Sequence, residues 1–393
     1  MKIATRLVIE VPGFDPRSAA EHRDFFEHEY RATLALYGLS GSVGEAKPHP
    51  KRPAARWGVT TEGDGWRVQT DYRVLRWDDI VREDMVRPPW WKIVQMYRTI
   101  GIAVVNGAFR RILRADWRFA VFAFSPLLLI TAWIFLACFF GLLCMNLVVM
   151  MHAPDIVSRV VGAVTGIGAF ASLLWLTEPG TGLMQRSDQA ATTNQIANRK
   201  RKDIEQRLDA FAGAVVDAVQ KSEAHEVVIV GHGFGAVLAV DVVGRALDRD
   251  PAFGEGRRLV LLTLGANLPV VAFDPEAKWC RNRLRQLAVA PNLDWIDVQS
   301  PDDAMNVYPF DPVADPLLAL EPGERRNPTF VTVRFRDLWK LGSSALRRWR
   351  FGKAHAQFLR ANERPGAAYD YYLICCGPLD AMTRLTKPSG TPQ

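Results

Sequence analysis

The 393-residue chain reads as an α/β protein, a mostly parallel sheet with helices on both faces, interrupted by a helical hairpin apolar enough to cross a membrane. Three observations predict this. Short, continuous apolar runs alternate with helix-period segments, which is the pattern of parallel strands covered on both faces. Residues 227–239, VVIVGHGFGAVLA, pass from a strand through a glycine-rich turn into a helix of small residues. Residues 119–151 carry no charge at all.

Residues 6–11 form an apolar strand running into Pro12-Gly13-Phe14-Asp15, and residues 18–37 read as a helix. Residues 42–66, rich in Pro, Gly and charge, read as a loop. Residues 66–77 read as a strand, because Trp66, Val68, Thr70, Tyr72 and Val74 alternate with polar positions. Residues 90–115 mix aromatic, aliphatic and basic side chains. They suit either an amphipathic helix on a membrane surface or an ordinary packed helix.

As a helix, the uncharged run would be roughly 50 Å long, against a hydrocarbon core of about 30 Å. Ser125-Pro126 is therefore expected to separate an interfacial start from the true span, or to kink it. After a short HAPD connection, residues 156–177 are apolar apart from Arg159, and Gly162 and Gly166 form a G-x-x-x-G step. Small residues at that spacing let two membrane helices approach closely. Beyond the hairpin, residues 199–222 form an amphipathic helix with Ile204, Leu208, Phe211, Val215 and Val219 on one face. Then follow a strand at 227–230, a helix at 236–247 and strands at 259–264, 293–298 and 329–335. Residues 388–393 read as a frayed tail. The organisation is thus 1–115, the N-terminal part of the sheet domain with a membrane-proximal helix; 116–180, a transmembrane hairpin; and 181–393, the C-terminal part of the sheet domain.

The net charge is +7, which suits nucleic acid or an anionic membrane surface. No Cys/His zinc spacing or recognition-helix signature is present, so nucleic acid is set aside and the bilayer is the expected partner. Arg110, Arg111, Arg114 and Arg118 precede the hairpin, and Arg186, Arg199, Lys200, Arg201 and Lys202 follow it. The connection holds only His152, Asp155 and Arg159, so both flanks are expected on the cytoplasmic side of a bacterial inner membrane. Trp90, Trp91, Trp117 and Trp175 are placed as interfacial anchors. Cys138 and Cys144 lie in the apolar run, and Cys280, Cys375 and Cys376 lie elsewhere. They form no disulfide framework, which fits a reducing compartment. The apolar stretch in MKIATRLVIEVPGF is too short for a signal peptide and reads as a strand.

The strand–turn–helix at 227–239 resembles the nucleophile elbow of the α/β-hydrolase superfamily, in particular its lipase- and esterase-like members. The usual elbow is G-x-S-x-G. Here Gly231 and Gly235 frame the turn, His232 precedes the nucleophile position, and Gly233 occupies it. The resemblance covers roughly residues 2–15 and 199–355. It implies a triad in the order nucleophile, acid, base. The acid is expected just past a strand end, at Asp303, with Asp302 close behind and Asp311 a third choice. Each of these suits a helix cap or turn equally well. His355 follows both the acid and the last strand and is expected as the base. The oxyanion donors would be the backbone amides of Phe234 and of Phe14 or Asp15. No metal or cofactor is implied. The expected function is hydrolysis of an ester or lipid substrate by a membrane-anchored site that has lost its serine, so that this chain is inactive or strongly impaired. The alternative is a pseudohydrolase that binds a lipid or a partner at the membrane. No oligomeric state is implied.

Overall fold

The computed structural model describes residues 3–49, 52–314, 320, 323–340 and 351–386; the tail at 388–393 lies outside the described residues. The first half of the sheet comprises β1 (Thr5–Val11), β2 (Ser40–Val43), β3 (Lys47–Pro48), β4 (Ala54–Gly63) and β5 (Trp66–Leu75), with helix α1 (Ala19–Tyr37) after β1. Ser18 caps α1: its hydroxyl accepts the Glu21 amide, and the Glu21 carboxylate accepts the Ser18 amide in return. Helices α2 (Asp78–Met85), α3 (Pro89–Val105) and α4 (Ala108–Ala115) lead into α5 (Trp117–Met150) and α6 (Asp155–Thr181). Helices α7 (Leu183–Ala197) and α8 (Lys202–Lys221) bring the chain back to the sheet. There it forms β6 (Glu226–His232), α9 (Phe234–Arg249), β7 (Leu259–Leu264), α10 (Leu268–Ala272), α11 (Lys278–Val289), β8 (Asp294–Gln299) and β9 (Thr329–Thr332). Short helices α12 (Phe335–Leu338), α13 (Phe351–His355), α14 (Tyr371–Cys376) and α15 (Ala381–Thr386) end the described chain.

The strand order is β2-β4-β5-β1-β6-β7-β8-β9, with β3 also on β4. From β5 to β9 every pairing is parallel, and only the β2–β4, β3–β4 and β4–β5 pairings are antiparallel. Alternate residues of the central strands enter different cores. Leu7, Ile9, Ile229 and Leu261 pack with α8, α9 and α11. Val8, Val228, Val230 and Leu262 pack with α1 and the C-terminal helices. Both faces are therefore covered, which is why these strands read as continuous apolar runs.

The reading of residues 42–66 as a loop is corrected. The segment supplies β4, whose Ala55, Trp57, Val59 and Thr61 point into the core at period two. Asp64-Gly65 then turns the chain into β5, with Gly65 at φ 70°. The alternation and the Asp-Gly turn were both visible in the sequence but were outweighed there by charge and Pro content. The strand at 329–335 is shorter than expected and gives way to α12. Residues 90–115 form two helices, broken at Asn106-Gly107.

Helices α5 and α6 are each long and apolar enough to cross a membrane. They pack closely: a Cβ placed on Gly141 would lie 2.6 Å from the Gly162 carbonyl oxygen, and one on Gly162 would lie 2.8 Å from Met145 Cβ. The G-x-x-x-G step of α6 thus meets Gly141 of α5. Helix α5 runs unbroken through Pro126. Proline cannot donate to the carbonyl four residues back, so the Phe122 oxygen loses its helix partner. The Ser125 hydroxyl and the Arg186 guanidinium both donate to it instead.

Candidate functional site

The strand order reverses direction about β1 and β6, which open a crevice at the carboxyl ends of the parallel strands, where open α/β sheets place their ligands. Three loops meet there. After β6, Gly233 adopts φ 56° and ψ −116°, a conformation costly for any residue with a Cβ, and α9 starts at once. After β1, the segment Pro12-Gly13-Phe14 lies against the same turn, with a Cβ placed on Gly13 coming 3.3 Å from the Gly235 amide nitrogen. After β8, the chain turns through Pro301 into Asp303.

The structure brings Gly233, Asp303 and His355 together. His355 Nδ1 lies 2.7 Å from Asp303 Oδ2, so the ring donates to the carboxylate. A Cβ placed on Gly233 would lie 2.5 Å from His355 Nε2, so that nitrogen faces the turn. Asp303 is fully buried, and its Oδ1 accepts the Met305 amide at 2.9 Å. The alternatives separate from it on geometry. Asp302 borders the surface and accepts the Arg336 amide at 3.5 Å, while Asp311 pairs with Arg325 at 2.6 Å.

His232 lies beneath His355, with ring centroids 4.2 Å apart and planes 28° from parallel. Its Nε2 donates to the His355 carbonyl oxygen at 3.0 Å. Burial and the neighbouring His355 ring hold the His232 pKa well below its ordinary value, so it acts as a neutral support. Among the described residues, neither the Phe14 nor the Phe234 amide has an intramolecular acceptor, whereas the Asp15 amide is spent on the Gly13 carbonyl at 2.8 Å. Of the two amides considered after β1, Phe14 is thus the one free to donate. Trp77 braces this pair. Its ring meets Phe14 edge-on at 6.1 Å and lies 6.5 Å from Phe234, and its Nε1 donates to the Pro12 carbonyl oxygen at 3.0 Å. Along the chain Trp77 marks only the end of the alternating run at 66–77.

The foot of α5 also touches this site, which was not foreseen. Asp116 Oδ2 accepts the Tyr308 amide at 3.3 Å, and Arg118 donates to the Pro301 carbonyl oxygen at 2.8 Å, two residues before Asp303. Phe119 packs with Phe273 and Val307. Arg118, expected in a basic flank, therefore pins the loop that carries Asp303. Among the described residues, no group of three or more His, Cys, Asp or Glu side chains is placed to hold a metal ion.

Two consequences can be measured. A Cβ on Gly235 would lie 2.3 Å from the Val11 carbonyl oxygen and 2.9 Å from the Gly13 amide nitrogen, both of them backbone. Gly235→Ala is expected to cost about 3 kcal/mol or more, because neither strand can yield cheaply. Gly101→Ala, in open space on α3, should be neutral or stabilising by up to about 1 kcal/mol. Thermal melts of the two purified variants would check this, and equal melting temperatures would contradict it.

The second concerns Asp297, fully buried on β8, which accepts Thr263 Oγ1 and Gln299 Nε2. Burial outweighs those donors and pushes its pKa up to about 6 from an ordinary 3.8. A carboxyl whose folded pKa is raised holds its proton longer in the folded chain. Its contribution to stability is therefore greatest near pH 4 and falls as pH rises through about 6. The stability of the parent relative to Asp297→Asn should decline across that window by the order of 2–3 kcal/mol. A pH-independent difference would contradict it.

Comparison with protein families, with curated proteins and with solved structures finds no match.

Proposed function

We propose that the chain is a membrane-anchored protein of the α/β-hydrolase type, with an ester- or lipid-hydrolysing site that lacks only its nucleophile. The observation that carries this reading is the line of three groups: the Asp303 carboxylate, the His355 ring 2.7 Å away, and His355 Nε2 facing Gly233 at the strand-to-helix turn. A serine at 233 would give its proton to His355 Nε2 as its oxygen bonds to the substrate carbonyl carbon. The developing oxyanion would be held by the Phe14 and Phe234 amides. His355 would then pass the proton to the leaving alkoxide as the ester C–O bond breaks, while Asp303 keeps the Nδ1 proton in place. With glycine no covalent step is available, and the chain binds such a substrate without forming an acyl-enzyme.

Helices α5 and α6 are read as crossing the bilayer. In support, Phe135, Phe139, Leu142, Val160, Val164 and Ile167 are large, apolar and exposed. The basic residues on either side of the pair favour the sheet domain on the cytoplasmic face of an inner membrane.

One observation favours a second reading. The 2.5 Å approach of His355 Nε2 means that the ring occupies part of the space a serine would need, as it would in a binding scaffold that never carried one. Fluorophosphonate labelling of Gly233→Ser separates the two. Labelling supports the hydrolase site, and a silent, folded variant supports the scaffold.

A further inference from the structure

A cavity of about 160 Å³ lies between the foot of α5 and the Gly233 turn. Its wall is largely apolar, with Met96, Ile100, Ile112, Phe119 and Ala123 among the lining residues, and Phe234 and Asn267 also border it. One of its polar groups lacks the partner expected of a buried group, and another is a half-buried cation with no ion-pair partner among the described residues. Asn267 is 8% exposed and its side-chain oxygen has no hydrogen-bond partner, while its backbone amide donates to the Gly233 carbonyl oxygen at 3.1 Å. A buried, unpaired acceptor beside a cavity calls for a hydrogen-bond donor there, such as an ordered water. Arg186 lines the same cavity and has no carboxylate within 4.0 Å among the described residues.

The Arg186 guanidinium lies over the Phe122 ring, 4.2 Å from its centroid, and its only hydrogen bonds among the described residues run from Nη2 to the Phe122 carbonyl oxygen and the Ser125 hydroxyl. The rest of the guanidinium fork is open. Loss of water lowers its pKa to about 10, the sign of a cation without a counter-ion. Asp274 also borders the cavity, but its Oδ1 accepts the Glu276 amide at 3.0 Å and the Asn106 side-chain amide at 3.5 Å.

We propose that this cavity binds the head and first methylenes of a single-chain anionic amphiphile, its carboxylate or phosphate on Arg186 and the start of its chain against the apolar wall, with the rest of the chain extending out of the cavity. A planar guanidinium with a free edge suits either head. The site rests on the bilayer reading above, since the bilayer delivers the chain at the foot of α5. It does not depend on hydrolysis.

The test uses the full chain in a non-ionic detergent with dansyl-undecanoate as a fluorescent probe. Dodecanoate, dodecyl phosphate, dodecanol and dodecyltrimethylammonium compete for it. The two anions should displace the probe at roughly tenfold lower concentration than the alcohol or the cation, given one charge-assisted pair. Dodecyl phosphate ahead of dodecanoate indicates a phospholipid-type head, and the reverse order a free fatty acid. Arg186→Met should remove the preference, Arg186→Lys should keep most of it, and Ala123→Trp should fill the cavity and abolish probe binding. Equal competition by all four amphiphiles, or a preference that survives Arg186→Met, overturns the proposal. Should Arg186→Met fail to fold, the ranking on the unmodified chain decides alone. The outcome is separable from the hydrolase reading. Anion preference with a silent Gly233→Ser variant removes only that reading, and labelling without anion preference removes only this one.

Discussion

Gly233→Ser is expected to convert a chain that a fluorophosphonate leaves unlabelled into one that labels at residue 233 and turns over short- and medium-chain nitrophenyl esters. The gain should be at least about a thousandfold in ester turnover, the scale lost when a triad nucleophile is removed. The backbone is prepared for it, because the turn already holds φ 56° and ψ −116°. One adjustment is required. The new Cβ would sit 2.5 Å from His355 Nε2, so the ring has to withdraw by roughly an ångström to accept a hydrogen bond from the hydroxyl. That movement is opposed by the Asp303 hydrogen bond and by the His232 stack. His355→Ala in the serine background should abolish the gain. Asp303→Asn should reduce it by orders of magnitude, because the amide no longer fixes which nitrogen of His355 carries the proton. A folded Gly233→Ser variant that neither labels nor turns over would remove the hydrolase reading.

The largest stability loss is expected at Arg6→Met. Arg6 and Glu226 stand on neighbouring parallel strands with side chains fully enclosed, joined at 2.7 Å. Arg6 also donates to the carbonyl oxygens of Gly377 and Leu379 at 2.8 and 2.6 Å, while Glu226 accepts the Ala381 amide. The pair therefore ties the C-terminal helices to the middle of the sheet. Removing one partner strands a buried charge and should cost about 3–5 kcal/mol. Burial already holds the Glu226 pKa above its ordinary 4.5, despite Arg6. Without Arg6 it rises further, which favours the protonated carboxyl in the folded chain. The variant should therefore lose stability as pH rises above about 4.5, with its deficit smallest in acid and largest above neutrality. Melting curves at pH 5 and pH 8 would show this. A deficit independent of pH would mean that Glu226 finds another cation.

The elements legible in the sequence are those whose pattern is local. Strands β1, β6, β7 and β8 were read from short runs dominated by apolar residues because both of their faces are buried. The two long apolar helices were read from length and composition alone. Strand β4 was lost because its solvent-side residues are charged and Pro-flanked, so composition hid the alternation that buries Trp57. The site was partly legible. The motif placed Gly233, and chain order left His355 as the only histidine after the last strand, but Asp303 was preferred only narrowly over Asp302, with Asp311 third. Their separation depends on which one the β8 loop turns inward, a contact between residues 52 apart. The contacts of Trp77, Asn267 and Arg186 had no local signal, since each matters through a neighbour distant in the chain; Trp77 reads along the chain only as a strand end and Arg186 only as part of a basic flank.

The sequence by itself determined an α/β chain with a parallel sheet, two helices apolar enough to span a membrane, and a glycine at a sharp strand-to-helix turn. Periodicity, hydropathy and turn chemistry act within a few residues, so they can be read along the chain. Only the tertiary structure decided which aspartate meets His355, that the foot of α5 pins that aspartate's loop, and that an unpaired arginine faces a cavity beside the turn. Those facts arise where the carboxyl ends of the strands, the foot of α5 and the C-terminal segment converge, and convergence depends on packing among elements far apart in sequence.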